Sequence, residues 1–147
     1  MDSIELRQAM MSDSVINQIF IGVYPINMIP KVLPIPLLMI VNHDKSTEPG
    51  SHWIVLHFKD NNIVEHFDSL GKKPVDSIHN LLITNWLTYK YNNKRLQNYN
   101  SYTCGLYCLY YSHLSSRNQS FNKIVGNFTS NLKQNDEIVK DFYQINF

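Results

Sequence analysis

Two short strand-like runs joined by a polar turn constrain the fold of this chain more than any other feature. The runs are Trp53–Phe58 and Ile63–Phe67, and the four residues between them read Lys-Asp-Asn-Asn. Asp and Asn tolerate the left-handed backbone conformations that tight turns need, so the pattern predicts an antiparallel β-hairpin. If the turn is centred near Asp60, residues whose numbers sum to about 121 face each other across the hairpin.

The rest of the chain predicts helices packed around this hairpin. Helices are predicted at residues 12–20, from Pro74 through Tyr89, at 104–114, 121–128 and 136–143. A proline-rich extended segment is predicted to precede a buried strand at residues 37–42, and a short extended piece is predicted at 94–97. The predicted fold class is therefore α+β, with a central, mainly antiparallel sheet flanked by helices. At 147 residues, the chain is predicted to be a single domain, 1–147.

Composition limits the partners and the cellular compartment that can be expected for this chain. The net charge of +1 argues against bulk nucleic acid or an acidic membrane as the dominant partner. The most apolar run contains Pro34 and Pro36, so no transmembrane helix is expected. The first residues lack the basic and apolar regions of a secretory signal. Cys104 and Cys108 do not form a disulfide framework, so a reducing, intracellular setting is predicted.

His52 and Asp68 lie at the open end of the predicted hairpin, nearly opposite each other. Facing Cβ atoms in a hairpin are roughly 4.5–5.5 Å apart, so a carboxylate there can reach an imidazole nitrogen. Such a carboxylate fixes the tautomer of the ring and stabilises its protonated form, which is what the third member of a catalytic triad does. The alternative is that both are exposed loop residues without a chemical role.

Cys104 lies where a polar, turn-rich stretch gives way to an apolar helix. The unpaired N–H groups and the dipole of a helix N-terminus favour a thiolate over a thiol. Gly105 leaves room beside the sulfur for a substrate backbone, and Gln97 could donate its amide to a developing oxyanion together with the Cys104 backbone N–H. The alternative is that Cys104 is a small buried helix residue, as most free cysteines are.

These residues stand in a series of motifs that resembles a known family. In chain order, the motifs are Phe20-Ile21-Gly22-Val23-Tyr24-Pro25, Gly50-Ser51-His52-Trp53, Phe67-Asp68-Ser69-Leu70-Gly71 and the segment from Gln97 to Cys108. Over most of the chain, they resemble the adenovirus protease (adenain) family, whose superfamily also contains the proteases that process ubiquitin-like proteins. The resemblance implies a papain-like cysteine protease fold of the adenain type.

The resemblance also implies a role for each matching residue. Cys104 would be the nucleophile, His52 the general base and Asp68 its partner. Gln97 would be an oxyanion-hole donor, and Trp53 would pack beside the catalytic imidazole. With Gly105, Trp53 is expected to border the substrate groove.

The implied reaction is hydrolysis of peptide bonds after small residues such as Gly, in a polypeptide substrate. The expected substrates are capsid or core precursor proteins of a virus or virus-like element, cleaved by a monomer in the host cytoplasm or nucleus, or in the virion. Adenovirus enzymes are stimulated by a peptide tethered through a disulfide, and by DNA. Cys108 reads as a buried helix position and the charge gives no support for DNA, so no cofactor is expected.

Three alternatives stay open at this stage. The same chemistry could act on ubiquitin or a related modifier, or the chain could be a catalytically silent interaction module. Cys104, Cys108 and His113 could be zinc ligands, but their spacing matches no common zinc pattern, so no metal is expected. His57 and His66, inside the paired strands, are expected to be hydrogen-bonded sheet residues.

Overall fold

The computed structural model describes residues 1–31, 33–44, 52–60 and 62–147. Its strands form one sheet in the order β1-β2-β3-β4-β5. The strands are β1 (Phe20–Pro25), β2 (Leu37–Asn42), β3 (Trp53–Phe58), β4 (Ile63–Phe67) and β5 (Thr88–Tyr91). The helices are α1 (Ser3–Ser12), α2 (Asp76–Thr84), α3 (Cys104–Ser116), α4 (Phe121–Gly126) and α5 (Leu132–Asn146).

The centre of the sheet is antiparallel and its edges are parallel. β3 pairs with β2 and with β4 in antiparallel fashion, whereas β1 runs parallel to β2 and β5 runs parallel to β4. This arrangement confirms the predicted α+β class and the predicted β3–β4 hairpin. Asn61, in the predicted turn, lies outside the described residues, as do residues 45–51 of the predicted loop that contains Gly50 and Ser51.

Both faces of the sheet are covered, which explains why β2 and β3 are mostly apolar and are buried at nearly every position, without alternation. On one face, α3 packs against β3 and is itself contacted by α1, α4 and α5. On the other face, Ile78 and Leu82 of α2 pack in a second core with Leu56 and Val64. The helix predicted at 104–114 is therefore the central helix of the fold, buried along most of its length.

The predicted helix at 12–20 is wrong. Helix α1 begins earlier, behind an Asp2–Glu5 capping box, and ends at Ser12. The Asp13 carboxylate then accepts hydrogen bonds from the backbone N–H groups of Val15 and Ile16, at 2.9 and 3.0 Å. These bonds hold the chain in a short 3-10 turn at Ile16–Gln18. Val15 and Ile19 flank this turn, and of the apolar residues expected to be helical only Phe20 enters β1.

The helix predicted from Pro74 to Tyr89 is too long, and the extended piece is misplaced. Helix α2 ends at Thr84, Trp86 has a positive φ of 59°, and Tyr89 belongs to β5. A non-glycine residue in the left-handed region ends a helix. The segment at 94–97 is irregular, because its backbone groups bond to the turn that follows β4.

Within the described residues, no helix is both long enough and apolar enough to cross a membrane.

Candidate active site

His52 and Asp68 meet just beyond the open end of the β3–β4 hairpin. His52 Nε2 lies 2.7 Å from Asp68 Oδ1, and the Asp68 side chain is fully buried. The observed register pairs Val55 with Phe67, which makes the paired numbers sum to 122 and sets Asp68 level with Ile54. The two residues are therefore diagonal neighbours on one face of the hairpin, and their side chains close the gap that the backbones leave.

Both the side chain and the backbone of Asp68 make further hydrogen bonds, and those to the backbone come from Asn92, which no sequence motif marked. The Leu70 N–H donates to Asp68 Oδ1 at 2.8 Å, in the turn that follows β4. The Asn92 side chain accepts from the Asp68 N–H at 2.9 Å and donates to the Asp68 carbonyl at 2.5 Å. Asn92 is buried in a polar segment directly after β5, and no local motif distinguishes it. Its role depends on the β4–β5 pairing, which is parallel and non-local.

Cys104 is the first residue of α3 and is 7% exposed. Burial alone would raise the pKa of its thiol. The hydrogen bond to His52, the backbone N–H groups of Trp53 and Gly105 and the charge of His52 outweigh burial and lower the pKa. The sulfur is therefore stabilised as a thiolate by the helix N-terminus and by the imidazole together.

His52 shows the complementary shift. Burial alone would lower its pKa, but the hydrogen bonds and charges of Asp68 and Cys104 raise the pKa from 6.5 to about 9. The pKa of Asp68 is lowered because its hydrogen bond to His52 outweighs the effect of burial. The two opposite shifts favour a thiolate and an imidazolium side by side over a neutral thiol and a neutral imidazole. Since His52 Nε2 is hydrogen-bonded to Asp68, Nδ1 is the ring nitrogen that remains for the hydrogen bond with the Cys104 sulfur.

Gln97 is buried, and its amide is oriented from both sides. The Ser69 hydroxyl donates to Gln97 Oε1 at 2.7 Å, and Gln97 Nε2 donates to the Ser101 carbonyl at 2.8 Å. An amide nitrogen carries two protons, so one N–H beyond the bond to Ser101 is left for a ligand. The Gln97 N–H also donates to the Ser69 carbonyl at 3.0 Å. Gln97 is thereby tied to the residue that directly follows Asp68.

Gly71 allows this connection between the turn after Asp68 and the segment before Gln97. It has a φ of 72°, and a methyl group there would lie 2.4 Å from the backbone carbon of Lys94. Any other residue would both strain the backbone and push the two segments apart.

Trp53 and Gly105, the predicted groove residues, lie together beside Cys104. A methyl group on Gly105 would lie 3.4 Å from the Trp53 ring and 3.3 Å from Met1 Sδ. Both residues are buried, and Trp53 Nε1 has no hydrogen-bond partner among the described residues. The Met1 side chain thus covers the place where the sequence suggested room for a substrate.

Three further histidines lie in the strands or beside them. The His43 ring packs edge-on against His52, with ring centroids 5.2 Å apart. His57 Nδ1 bonds to Ser115 Oγ at 2.7 Å, as expected of a sheet residue. His66 differs from its prediction: it is fully buried, and neither ring nitrogen has a hydrogen-bond partner among the described residues.

The residues considered as zinc ligands have other partners. Cys108 is buried and its Sγ donates to the Trp53 carbonyl at 3.4 Å, whereas His113 Nδ1 lies 2.8 Å from Asp13 Oδ2. Burial raises the pKa of Cys108 well above its ordinary value, unlike that of Cys104. Across the described part of the chain, no group of three or more His, Cys, Asp or Glu side chains is arranged to hold a metal ion.

Comparison with known proteins gives the class to which this fold and site belong. Residues 33–141 match the model of the Ulp1 protease family, C-terminal catalytic domain. The chain belongs to the Ulp1 protease family. This result confirms the superfamily that the sequence motifs predicted.

Individual relatives agree with this class. A protein of Acanthamoeba polyphaga mimivirus, named as a candidate thiol protease, is 32% identical over 102 residues, which cover 62% of this chain and 33% of that protein. An ASFV protease crystal structure matches with a TM-score of 0.68 at 16% identity, covering 99% of this chain and 66% of that chain. A selenomethionine form of the ASFV protease matches with a TM-score of 0.51 at 23% identity, covering 75% of this chain and 44% of that one.

The central domain of an uncharacterised Legionella pneumophila protein also has this fold, with a TM-score of 0.55 at 12% identity over 100% of this chain and 98% of that one. At such identities, the structural matches establish the fold alone. The chain spans a third of the length of its mimivirus relative and less than two thirds of either ASFV protease chain.

Proposed function

We propose that this chain is a cysteine peptidase in which Cys104 is the nucleophile, His52 the acid and base, and Asp68 the residue that orients His52. The observation that carries the proposal is the 2.7 Å contact between His52 Nε2 and Asp68 Oδ1, made beside a thiol whose pKa is lowered at a helix N-terminus. Membership of the Ulp1 protease family supports the same assignment.

The reaction begins when the Cys104 thiolate attacks the carbonyl carbon of a peptide bond and forms a carbon–sulfur bond. The carbonyl oxygen becomes an oxyanion that accepts hydrogen bonds from Gln97 Nε2 and from the Cys104 backbone N–H. The His52 imidazolium gives its proton to the leaving nitrogen, and the carbon–nitrogen bond breaks. Water then loses a proton to His52 and attacks the thioester, which releases the acid and restores the thiolate.

For the substrate, we favour peptide bonds that follow small residues such as Gly in precursor proteins of a virus or virus-like element. The mimivirus and ASFV relatives support a viral setting, inside the host cell or in the virion. A second candidate, hydrolysis of a ubiquitin-like modifier from its target, is favoured by the Ulp1 family match. No cofactor or metal takes part in the proposed reaction.

The test compares three proteins on fluorogenic peptide amides with Gly before the cleaved bond: the natural chain, Cys104→Ser and Cys108→Ala. The natural chain and Cys108→Ala should hydrolyse the substrate, while Cys104→Ser should lose at least ~10³-fold in kcat. Hydrolysis that persists in Cys104→Ser would remove the proposal. Cys108→Ala is the matched control, because it changes the other buried cysteine one helical turn away.

A second experiment separates the two substrate classes. The natural chain and Cys104→Ser are incubated with the structural proteins encoded alongside the chain, and with a panel of modifier amides. New N-termini after Gly in the structural proteins support the maturation role, whereas hydrolysis confined to the modifier amides supports the second candidate.

A further inference from the structure

We infer that Asp136 of α5 is a positioning residue for the oxyanion hole, an inference that rests on the proposed function. Asp136 holds the loop between Gln97 and Cys104 in the shape that presents the Gln97 amide to the reacting carbonyl. It lies 32 residues beyond the cysteine in the chain and belongs to none of the motifs that mark the site.

Asp136 binds the loop at both of its ends through one oxygen. Its Oδ1 accepts from the Asn98 backbone N–H at 3.2 Å and from the Thr103 hydroxyl at 3.2 Å. Asn98 directly follows Gln97, and Thr103 directly precedes Cys104. A single carboxylate therefore connects the residue after the oxyanion donor with the residue before the nucleophile.

Helix α3 also contacts Asp136 and the segment before Gln97, through Tyr107. The Tyr107 hydroxyl lies 2.8 Å from Asp136 Oδ1 and 3.1 Å from the Leu96 carbonyl, so it can donate to either. Asn135, the neighbour of Asp136 in α5, donates to the Leu96 carbonyl at 3.0 Å. Helix α5 is thus hydrogen-bonded to the backbone immediately before Gln97 and immediately after it.

Burial makes these contacts strong enough to fix the loop. Asp136 is 5% exposed and Asn135 is fully buried, so little water competes for their hydrogen bonds. The loop itself is polar and includes the exposed side chains of Tyr99 and Tyr102, so it has little apolar packing of its own. Without the carboxylate, the loop would sample conformations in which the free N–H of Gln97 points away from the substrate.

The test uses Asp136→Ala, which removes the shared acceptor, and Asp136→Asn, which keeps an oxygen at the same place. Glu137→Gln is the matched control, because Glu137 is the next residue of α5 and is exposed. On a fluorogenic Gly-amide peptide, Asp136→Ala should lower kcat by ~10–100-fold with KM within about twofold, because one oxyanion donor contributes ~10²–10³. Asp136→Asn should recover most of the rate, and Glu137→Gln should match the natural chain.

Two further readouts distinguish positioning from a general loss of structure. The rate of Cys104 alkylation by iodoacetamide, and its pH profile, should not change in Asp136→Ala, because they report the Cys104–His52 pair. The losses of Asp136→Ala and Gln97→Ala should not multiply when the two are combined, because both act through one donor. If Asp136→Ala does not fold, Thr103→Val removes one hydrogen bond to Asp136 and should lower kcat by about 3–10-fold with the alkylation rate unchanged.

The inference is overturned if Asp136→Ala keeps the natural kcat, if alkylation slows as much as hydrolysis, or if the two losses multiply. An unchanged kcat in Thr103→Val would also overturn the inference. A natural chain without Cys104-dependent hydrolysis would instead overturn the proposed function, and the positioning role of Asp136 with it. Hydrolysis by the natural chain and by Cys104→Ser therefore shows whether the proposed function or only the role of Asp136 has failed.

Discussion

At the residue scale, the site is defined by how two opposite pKa shifts support each other. The contact between Cys104 and His52 lowers the pKa of Cys104, because each charged form stabilises its neighbour. Together with the hydrogen bond to Asp68, the same contact raises the pKa of His52 to about 9. Asp68 adds a buried negative charge that keeps the imidazolium protonated. Cys108, one turn along the same helix, has no such neighbour and its pKa moves the other way.

Asp68→Asn should therefore change the pH dependence of the site as well as its rate. The ion pair exists above the lowered pKa of Cys104 and below the pKa of His52, so losing the carboxylate moves the upper limit down from about 9. We expect kcat/KM at pH 7 to fall by ~10²–10⁴, as when the orienting acid of a triad is neutralised.

The measurement is kcat/KM together with the rate of iodoacetamide alkylation, each followed from pH 5 to 10. Asp60→Asn, an exposed carboxylate at the turn end of the hairpin, serves as the control and should leave both profiles unchanged. An upper limit that stays near pH 9 in Asp68→Asn would contradict the role given to Asp68.

At the element scale, helix α3 is coupled to the hairpin by a second set of buried polar groups. The Tyr111 hydroxyl donates to Glu65 Oε1, and Lys59 Nζ lies 3.3 Å from Glu65 Oε2. Ser115 Oγ bonds to His57 and lies 3.3 Å from Glu65 Oε1. These contacts fix how far α3 lies along β3 and β4, and so where Cys104 at its first turn meets His52.

Tyr111→Phe should destabilise the fold without removing the site. The change leaves the buried Glu65 carboxylate with one donor fewer, so the free energy of unfolding should fall by about 1–3 kcal/mol. Urea denaturation followed by circular dichroism gives this value. Tyr24→Phe removes a hydroxyl that donates to the neutral Ile21 carbonyl at 2.9 Å, and it should cost only about 0.5–1.5 kcal/mol. Equal losses in the two variants would contradict the special role of Glu65.

Element boundaries show where sequence periodicity is insufficient. The hairpin and α3 were predictable because each has a local signal: a polar turn between β-rich runs, and a polar stretch before an apolar helix. The helix predicted at 12–20 failed because the Asp13 carboxylate caps a 3-10 turn at Val15 and Ile16. That carboxylate is held by contacts that no local pattern contains, namely a hydrogen bond with His113 and an ion pair with Arg117.

At the scale of the whole molecule, two buried histidines make stability depend on pH. Burial lowers the pKa of both His57 and His66 from 6.5 to about 4. Between these values the unfolded chain binds more protons than the native one, so stability is lost as pH falls from about 6.5 to about 4. Each histidine should contribute up to about 3 kcal/mol to this loss. His52 acts in the opposite sense, because its stabilising contribution is complete below pH 6.5 and is lost as pH rises through about 9.

His66→Leu should therefore flatten the acid side of the stability curve. Both ring nitrogens of His66 are buried without a partner among the described residues, so an apolar side chain of similar size should not destabilise the fold at pH 7. The midpoint of urea denaturation, measured from pH 4 to 7, should fall less in this variant than in the natural chain. An identical fall would show that His66 does not govern the acid sensitivity.

The sequence by itself determined the class of the fold, the hairpin and the motifs around His52, Asp68 and Cys104. These features are local, since a turn signal, strand-like runs on either side of it and a helix start are all readable within about ten residues. The sequence also indicated that His52 and Asp68 meet, although the observed register makes them diagonal neighbours rather than facing ones.

Only the tertiary structure decided what surrounds that site. Asn92 reaches Asp68 across the parallel β4–β5 pair, and Asp136 reaches the loop beside Gln97 from the last helix. Both are polar residues in segments without a motif, and their partners lie 24 and 38 residues away in the chain. Hydrogen bonds between such distant residues depend on packing that both cores impose, so no local pattern in the sequence contains them.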